Sequence, residues 1–129
     1  MNIVISNSSG IPIYEQICEQ VKAQIIDETL SEGEMLPSIR SLAASLRVSS
    51  ITTKRAYDEL DAMGLTVSVP GKGRFVAKIN HEFLREEQMK HIEENLKQAA
   101  SIAKVYQVSK SEFLEMVDLA WEEEDDEKL

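Results

Sequence analysis

Apolar residues recur every three or four positions through "IPIYEQICEQVKAQIIDETL", where Tyr14, Ile17, Cys18, Val21 and Ile25 share one side and Glu15, Glu19, Lys22 and Gln24 fall elsewhere. That period predicts an amphipathic helix, with Pro12 at its start. The stretch "SEGEMLPS" reads as a turn, punctuated by Gly33 and Pro37. Ser38 is then placed to cap a short helix whose inward stripe is Ile39, Leu42, Ala43 and Leu46. After the tight connection "RVS", Ser49 caps a second helix, expected from Ser50 to Met63, with Gly64 suited to the left-handed position that follows it. Thr53, Ala56 and Leu60 form one face of this helix, and Ile51, Lys54, Arg55 and Asp58 point the other way.

The period then drops to two. "LTVSV" and "RFVAK" alternate like half-buried strands and are joined by "PGKG", which predicts a β-hairpin with a Gly-Lys-Gly tip. Helix, tight turn, helix and hairpin in that order make a winged helix-turn-helix. From Asn80 a helical period returns without Gly or Pro. Met89, Ile92, Leu96, Ala99, Ala103 and Tyr106 form a seam, with Ile102 flanking it. A capping box from Ser109 to Glu112 opens a last helix with Phe113, Leu114, Val117, Ala120 and Trp121 on its apolar stripe. Two helices cannot bury both stripes alone, so they either fold onto the first domain or pair with a second copy. The expected fold is mainly α with a small β-hairpin: residues 1–79 as the winged domain, and residues 80–129 as a two-helix dimerisation segment. Its tail "EEEDDEKL" reads as a frayed, solvated charge run.

Charge sharpens this division. The net charge is -9, yet residues 40–79 hold seven cations against three acids, while residues 1–39 and 80–129 are both strongly acidic. A local basic patch acts on a polyanion within about a Debye length, roughly 8 Å at physiological salt, so an acidic protein can still carry one. Lys54 and Arg55 lie near the start of their helix, where cations oppose the macrodipole. Such a helix is poorly charged for its own stability and well charged for phosphates and base edges. Lys72 and Arg74 add charge at or beside the hairpin tip.

Other chemistry is sparse. Cys18, the one cysteine, sits on an apolar stripe and excludes an internal disulfide. His81 and His91 lack the spacing of a helical metal pair. No catalytic set and no phosphate-binding loop is evident, so no enzyme activity, metal or cofactor is expected. No apolar run is long enough to span a membrane, and a cytoplasmic protein is the default expectation.

The segment from "PIYEQI" through "LPSIRSLAASLRVS" and "TTKRAYDEL" to "PGKGRFV" resembles the GntR family of bacterial transcription regulators, over about residues 11–78. The brief helical segment after it looks like the YtrA-like subfamily. The resemblance implies a homodimer on double-stranded operator DNA, held together by the C-terminal helices. It implies DNA contacts from Arg40 and from Ser50, Ile51, Thr52 and Lys54, with Gly71 and Lys72 at a wing tip entering the minor groove. Arg55 is a candidate phosphate contact or a partner of Glu59. Met89, Ile92, Leu96, Ala99, Ala103, Tyr106, Phe113, Val117 and Trp121 are the candidate dimer contacts. The implied role is a repressor of its own operon and an adjacent transporter operon, with any small effector unidentified. Three positions depart from the family pattern: Ser50 replaces a common arginine, Thr53 a common valine, and Arg47 a common glycine. The rival reading is an acidic protein-interaction adaptor whose winged domain does not bind DNA.

Overall fold

A computed structural model of the chain describes residues 1–127. Its elements are α1 (Ile13–Ile26), α2 (Ile39–Leu46), α3 (Ser50–Ala62), β1 (Thr66–Val69), β2 (Gly73–Val76), α4 (His81–Val105) and α5 (Lys110–Glu127). They fall into two compact units, Met1–His81 and the residues from Glu82 onward.

The first unit is built around α3, against which α1 and α2 both pack. Ile17, Val21 and Ile25 of α1 meet Ala56, Tyr57 and Leu60 of α3 in the core, with Leu42 and Ala43 from α2. Ser38 caps α2 by accepting the Ser41 N–H at 3.0 Å. Arg47 ends α2 in the left-handed region at φ 58°, a conformation in which a glycine carries no Cβ penalty. Helix α3 stops at Ala62, one residue short of the expected end, and Gly64 follows at φ 76°. Thr53 is fully buried, and its hydroxyl donates to the Ser49 carbonyl at 3.1 Å. That bond satisfies the polar atom of a side chain standing in a core slot.

The hairpin is antiparallel, pairing Thr66 with Val76 and Val69 with Gly73. Its strands are shorter than the alternation predicts: Leu65 precedes β1, and Ala77 and Lys78 lie beyond β2. The segment expected only to turn does more. Met35 forms a β-bridge with Phe75, Leu36 N–H donates to Arg74 O at 2.8 Å, and Val76 N–H donates to Glu34 O at 2.9 Å. The second strand of the wing therefore has a partner on each side.

The residues before α1 are anchored by side-chain amides. Gln16 Oε1 accepts the Ser6 N–H at 2.8 Å, while its Nε2 donates to Ser6 O at 2.8 Å. Gln20 brackets Val4 in the same way, at 2.8 and 2.7 Å. Gln24 Nε2 donates to Asn2 O at 2.6 Å.

In the second unit, α4 ends at Val105 and Gln107 turns the chain at φ 59°. Ser109 caps α5 by accepting the Glu112 N–H at 3.1 Å. Helix α5 continues to Glu127, so most of the acidic tail is helical rather than frayed. Glutamate is a good helix former, and no Gly or Pro interrupts the run. Lys128 and Leu129 lie outside the described residues. Helix α4 buries none of its residues, and Met89, Ile92, Leu96, Tyr106, Val117 and Trp121 are all exposed. Ala99, Ala103 and Phe113 are half-buried.

Candidate nucleic-acid interface

The first two turns of α3 begin at Ser49, whose Oγ accepts the Thr52 N–H at 3.0 Å and donates to Thr52 Oγ1 at 2.8 Å. The Thr52 hydroxyl is thus partly committed to the cap. Ser50 and Ile51 face solvent, and Ile51 is 82% exposed. An apolar side chain so exposed at a helix start gains nothing from the core and is available for contact with another surface.

The cations divide into free and paired groups. Arg40 on α2 and Lys72 at the hairpin tip are exposed and make no side-chain ion pair or hydrogen bond among the described residues. Lys54 is exposed and pairs with Asp58, one turn on, at 2.6 Å. Arg55 swings back towards α1, its guanidinium 3.7 Å from the centre of the Tyr14 ring, with Glu59 at 3.9 Å.

Arg74 departs from expectation. Its guanidinium does not project beside the tip. It turns inward, donating to Asp61 Oδ2 at 3.0 Å, Asp58 Oδ1 at 3.3 Å and Ser68 Oγ at 2.9 Å, and lies 5.0 Å from the centre of the Tyr57 ring. Two carboxylates, a hydroxyl and an aromatic face on the inner side outcompete solvent for a planar, weakly hydrated cation. Asp61 also accepts hydrogen bonds from the hydroxyls of Thr66 and Ser68. Periodicity gives no sign of this network, although Asp58 stands four residues after Lys54.

The electrostatics follow from these contacts. The hydrogen bond from Lys54, helped by Arg74, holds the Asp58 carboxyl below the usual aspartate range. Burial pushes the Tyr57 phenol up to about 12, so it stays protonated and donates to Pro37 O at 2.8 Å. Burial also pushes the Cys18 thiol up to about 11, which leaves it an inert core residue.

The wing tip is a turn closed by Lys72 N–H to Val69 O at 3.0 Å. Pro70 and Gly71 occupy its central positions, and Gly71 has φ 76°, the combination a type II turn requires. At Gly73 a Cβ would sit 3.3 Å from Met35 Sδ, so this glycine keeps room for the neighbouring strand. Between Met35–Ile39, Tyr57 and the wing runs an open cleft, with Ser38, Ser68 and Lys72 on its rim.

A capped helix with an exposed polar and cationic start, packed on a second helix and followed by a glycine-tipped wing, is the DNA-binding head of a transcription regulator. Residues 13–76 match the model of the bacterial regulatory proteins of the gntR family. The chain is 35% identical over 96 residues to the transcriptional repressor YtrA of Bacillus subtilis (strain 168), covering 74% of each protein. It belongs to the GntR family, whose members regulate transcription and are not enzymes. It spans less than a third of several longer relatives.

Solved structures agree. A Listeria monocytogenes EGD-e protein described as a transcriptional antiterminator superposes with a TM-score of 0.69 at 30% identity, covering 93% of this chain and 90% of that one. The DNA-binding domain of AraR in complex with its operator ORX1 superposes with a TM-score of 0.53 at 26% identity, covering 60% of this chain and 96% of that one. No helix among the described residues is long and apolar enough to cross a membrane.

Proposed function

We propose that this DNA-binding regulator is a homodimeric repressor that grips a two-fold symmetric operator, with α3 in the major groove and the wing tip at the flanking minor groove. The observation that carries the reading is the division of α3: Thr53, Ala56, Tyr57 and Leu60 are buried, while Ser50, Ile51 and Lys54 stand exposed at its start. The exposed residues are those that reach base edges when such a helix enters a groove. Arg40 and Lys72 supply phosphate contacts on either side of it, and Gly71 lets the wing backbone approach closely. Arg74 serves from within, holding the wing to α3, and Arg55 serves mainly to join α3 to α1.

Dimerisation is supported by the second unit. Met89, Ile92, Leu96, Tyr106, Val117 and Trp121 form an exposed apolar surface too extensive for a solitary helix pair. A second copy would cover it and set the half-site spacing. On this reading the segment from residue 80 onward carries the dimer contacts, and the genes proposed as repressed are its own operon and a neighbouring transporter operon. The test is transcription of that operon in cells with and without the gene. Repression predicts higher transcript in its absence, restored by the wild-type chain and not by a Lys54→Ala, Lys72→Ala double variant. Unchanged transcript would refute the assignment.

A further inference from the structure

Arg47 stands in the turn between α2 and α3 at φ 58° and ψ 44°. In that left-handed conformation a Cβ crowds the carbonyl oxygen that follows, so glycine or asparagine suits the position better. No contact of the arginine side chain offsets this cost. It is exposed and makes no ion pair, hydrogen bond or ring contact among the described residues. Its surroundings also set it apart from the cations of α3 and the wing strand. Arg47 lines a surface depression with Asn7, Ile13, Ser49 and Thr52, beside the first turn of α3, and no carboxylate lines it. Lys54 and Arg55 each face an acid one turn along their helix, and Arg74 faces two.

Binding to DNA draws on cations that no acid already compensates, because each phosphate contact releases condensed counterions. When a helix-turn-helix docks, its first helix crosses the sugar–phosphate backbone and the start of its second helix enters the groove. The connection between them therefore passes over the rim of the groove. Arg47 lies in that connection, three residues ahead of the exposed Ser50. A long guanidinium side chain there meets phosphate oxygens rather than base edges. We propose that Arg47 is a phosphate contact, so that the DNA-binding surface extends beyond α3 onto the turn before it and gains affinity without sequence preference. This rests on α3 being the DNA-reading helix.

The experiment titrates full-length wild type, Arg47→Gly, Arg47→Asn and Arg47→Lys against two fluorescent duplexes of equal length. One duplex is enriched by in-vitro selection with the wild-type chain, and the other is its scrambled counterpart. Glycine and asparagine both remove the charge, and both tolerate the left-handed turn. Each should weaken binding to both duplexes and make the salt slope shallower by about 0.9 for each head engaged. The ratio of wild-type to variant affinity should then grow roughly 3.5-fold per engaged head as salt falls from about 0.2 M to about 0.05 M. Arg47→Lys keeps a point charge and should keep the wild-type slope. Thermal unfolding should not follow the loss of binding. Arg47→Gly should melt no lower than wild type, because relief of the crowded Cβ offsets the greater freedom of the unfolded chain.

Unchanged affinity and slope in both Arg47→Gly and Arg47→Asn would overturn the proposal and leave Arg47 a solvated turn residue. A loss in Arg47→Gly that Arg47→Asn lacks would also overturn it, in favour of a loosened turn. So would a loss of slope that Arg47→Lys shares in full, since charge would then not be the cause. A loss confined to the selected duplex would assign base reading instead and remove the phosphate role. Lys54→Ala separates the two readings. If it weakens the selected duplex while the Arg47 variants change nothing, α3 stands as the reading helix and the inference alone falls. A wild-type chain that selects no sequence would refute the reading of α3, and the inference with it.

Discussion

Lys54 and Asp58 form an exposed pair whose weight in folding can be measured apart from its weight in DNA binding. The pair is exposed, so Lys54→Ala should change unfolding free energy by less than about 1 kcal/mol. If Lys54 reads a base, the same change should cost about 1–3 kcal/mol in operator binding. Titration of an operator duplex, set beside urea unfolding, measures both, and an unaltered operator affinity would remove Lys54 from the reading set. Asp58 also carries a pH dependence of definite sign. Its folded-state pKa lies below the ordinary aspartate value, chiefly through the Lys54 hydrogen bond. Its contribution to stability is therefore complete above that ordinary value and is lost as pH falls through the lowered folded value. Asp58→Asn should lower the neutral plateau slightly and flatten the acid limb relative to wild type, the two curves converging at low pH. An unchanged acid limb would show that the pair is not populated in solution.

At the scale of elements, the wing is the part whose shape depends most on a few positions. Gly71 sits at φ 76° in the turn, where a residue with a Cβ pays about 1–2 kcal/mol. Gly71→Ala should lower stability by about that much and weaken DNA binding further, while Val67→Thr on the exposed side of β1 should do neither. Chemical denaturation and operator titration of the two variants check this. The helices, their caps and the hairpin were all legible, because Ser38, Ser49, Gly64 and "PGKG" act on their own neighbours. Three features were not legible. The Met35–Phe75 bridge, the inward turn of Arg74 and the glutamine contacts to residues 2–6 each join side chains or strands far apart in sequence, and no local period encodes them. The extension of α5 through the acidic tail was missed for a different reason. Charge density suggests solvation, but four of the six residues from Glu122 to Glu127 are glutamates, which are good helix formers.

For the whole molecule, the exposed apolar surface of the second unit and the head of the first unit make one joint demand. The proposed two-fold site calls for two heads, and a second copy is the proposed cover for the exposed leucine, isoleucine and tryptophan side chains of the second unit. Light scattering at micromolar concentration should give twice the chain mass, and Trp121→Glu should shift it towards the monomer. Monomeric wild type would leave the surface unexplained and the symmetric operator without support. Loss of dimer should reduce operator affinity far more than affinity for a single half-site, since linkage of two heads multiplies their effective concentration.

The amide contacts of Gln16, Gln20 and Gln24 have a metrical consequence. Four residues of helix advance about 6 Å, and two residues of extended chain advance about 6.6 Å. The two rulers nearly coincide, so glutamines spaced by four meet the backbone at Ser6, Val4 and Asn2, spaced by two and running the opposite way. What the helix reads there is peptide groups, not side chains. The identity of Ile3, Val4 or Ile5 should thus be negotiable, but their number should not. Inserting one residue between Val4 and Ser6 turns every peptide group upstream away from its glutamine, whereas inserting two brings them back into step.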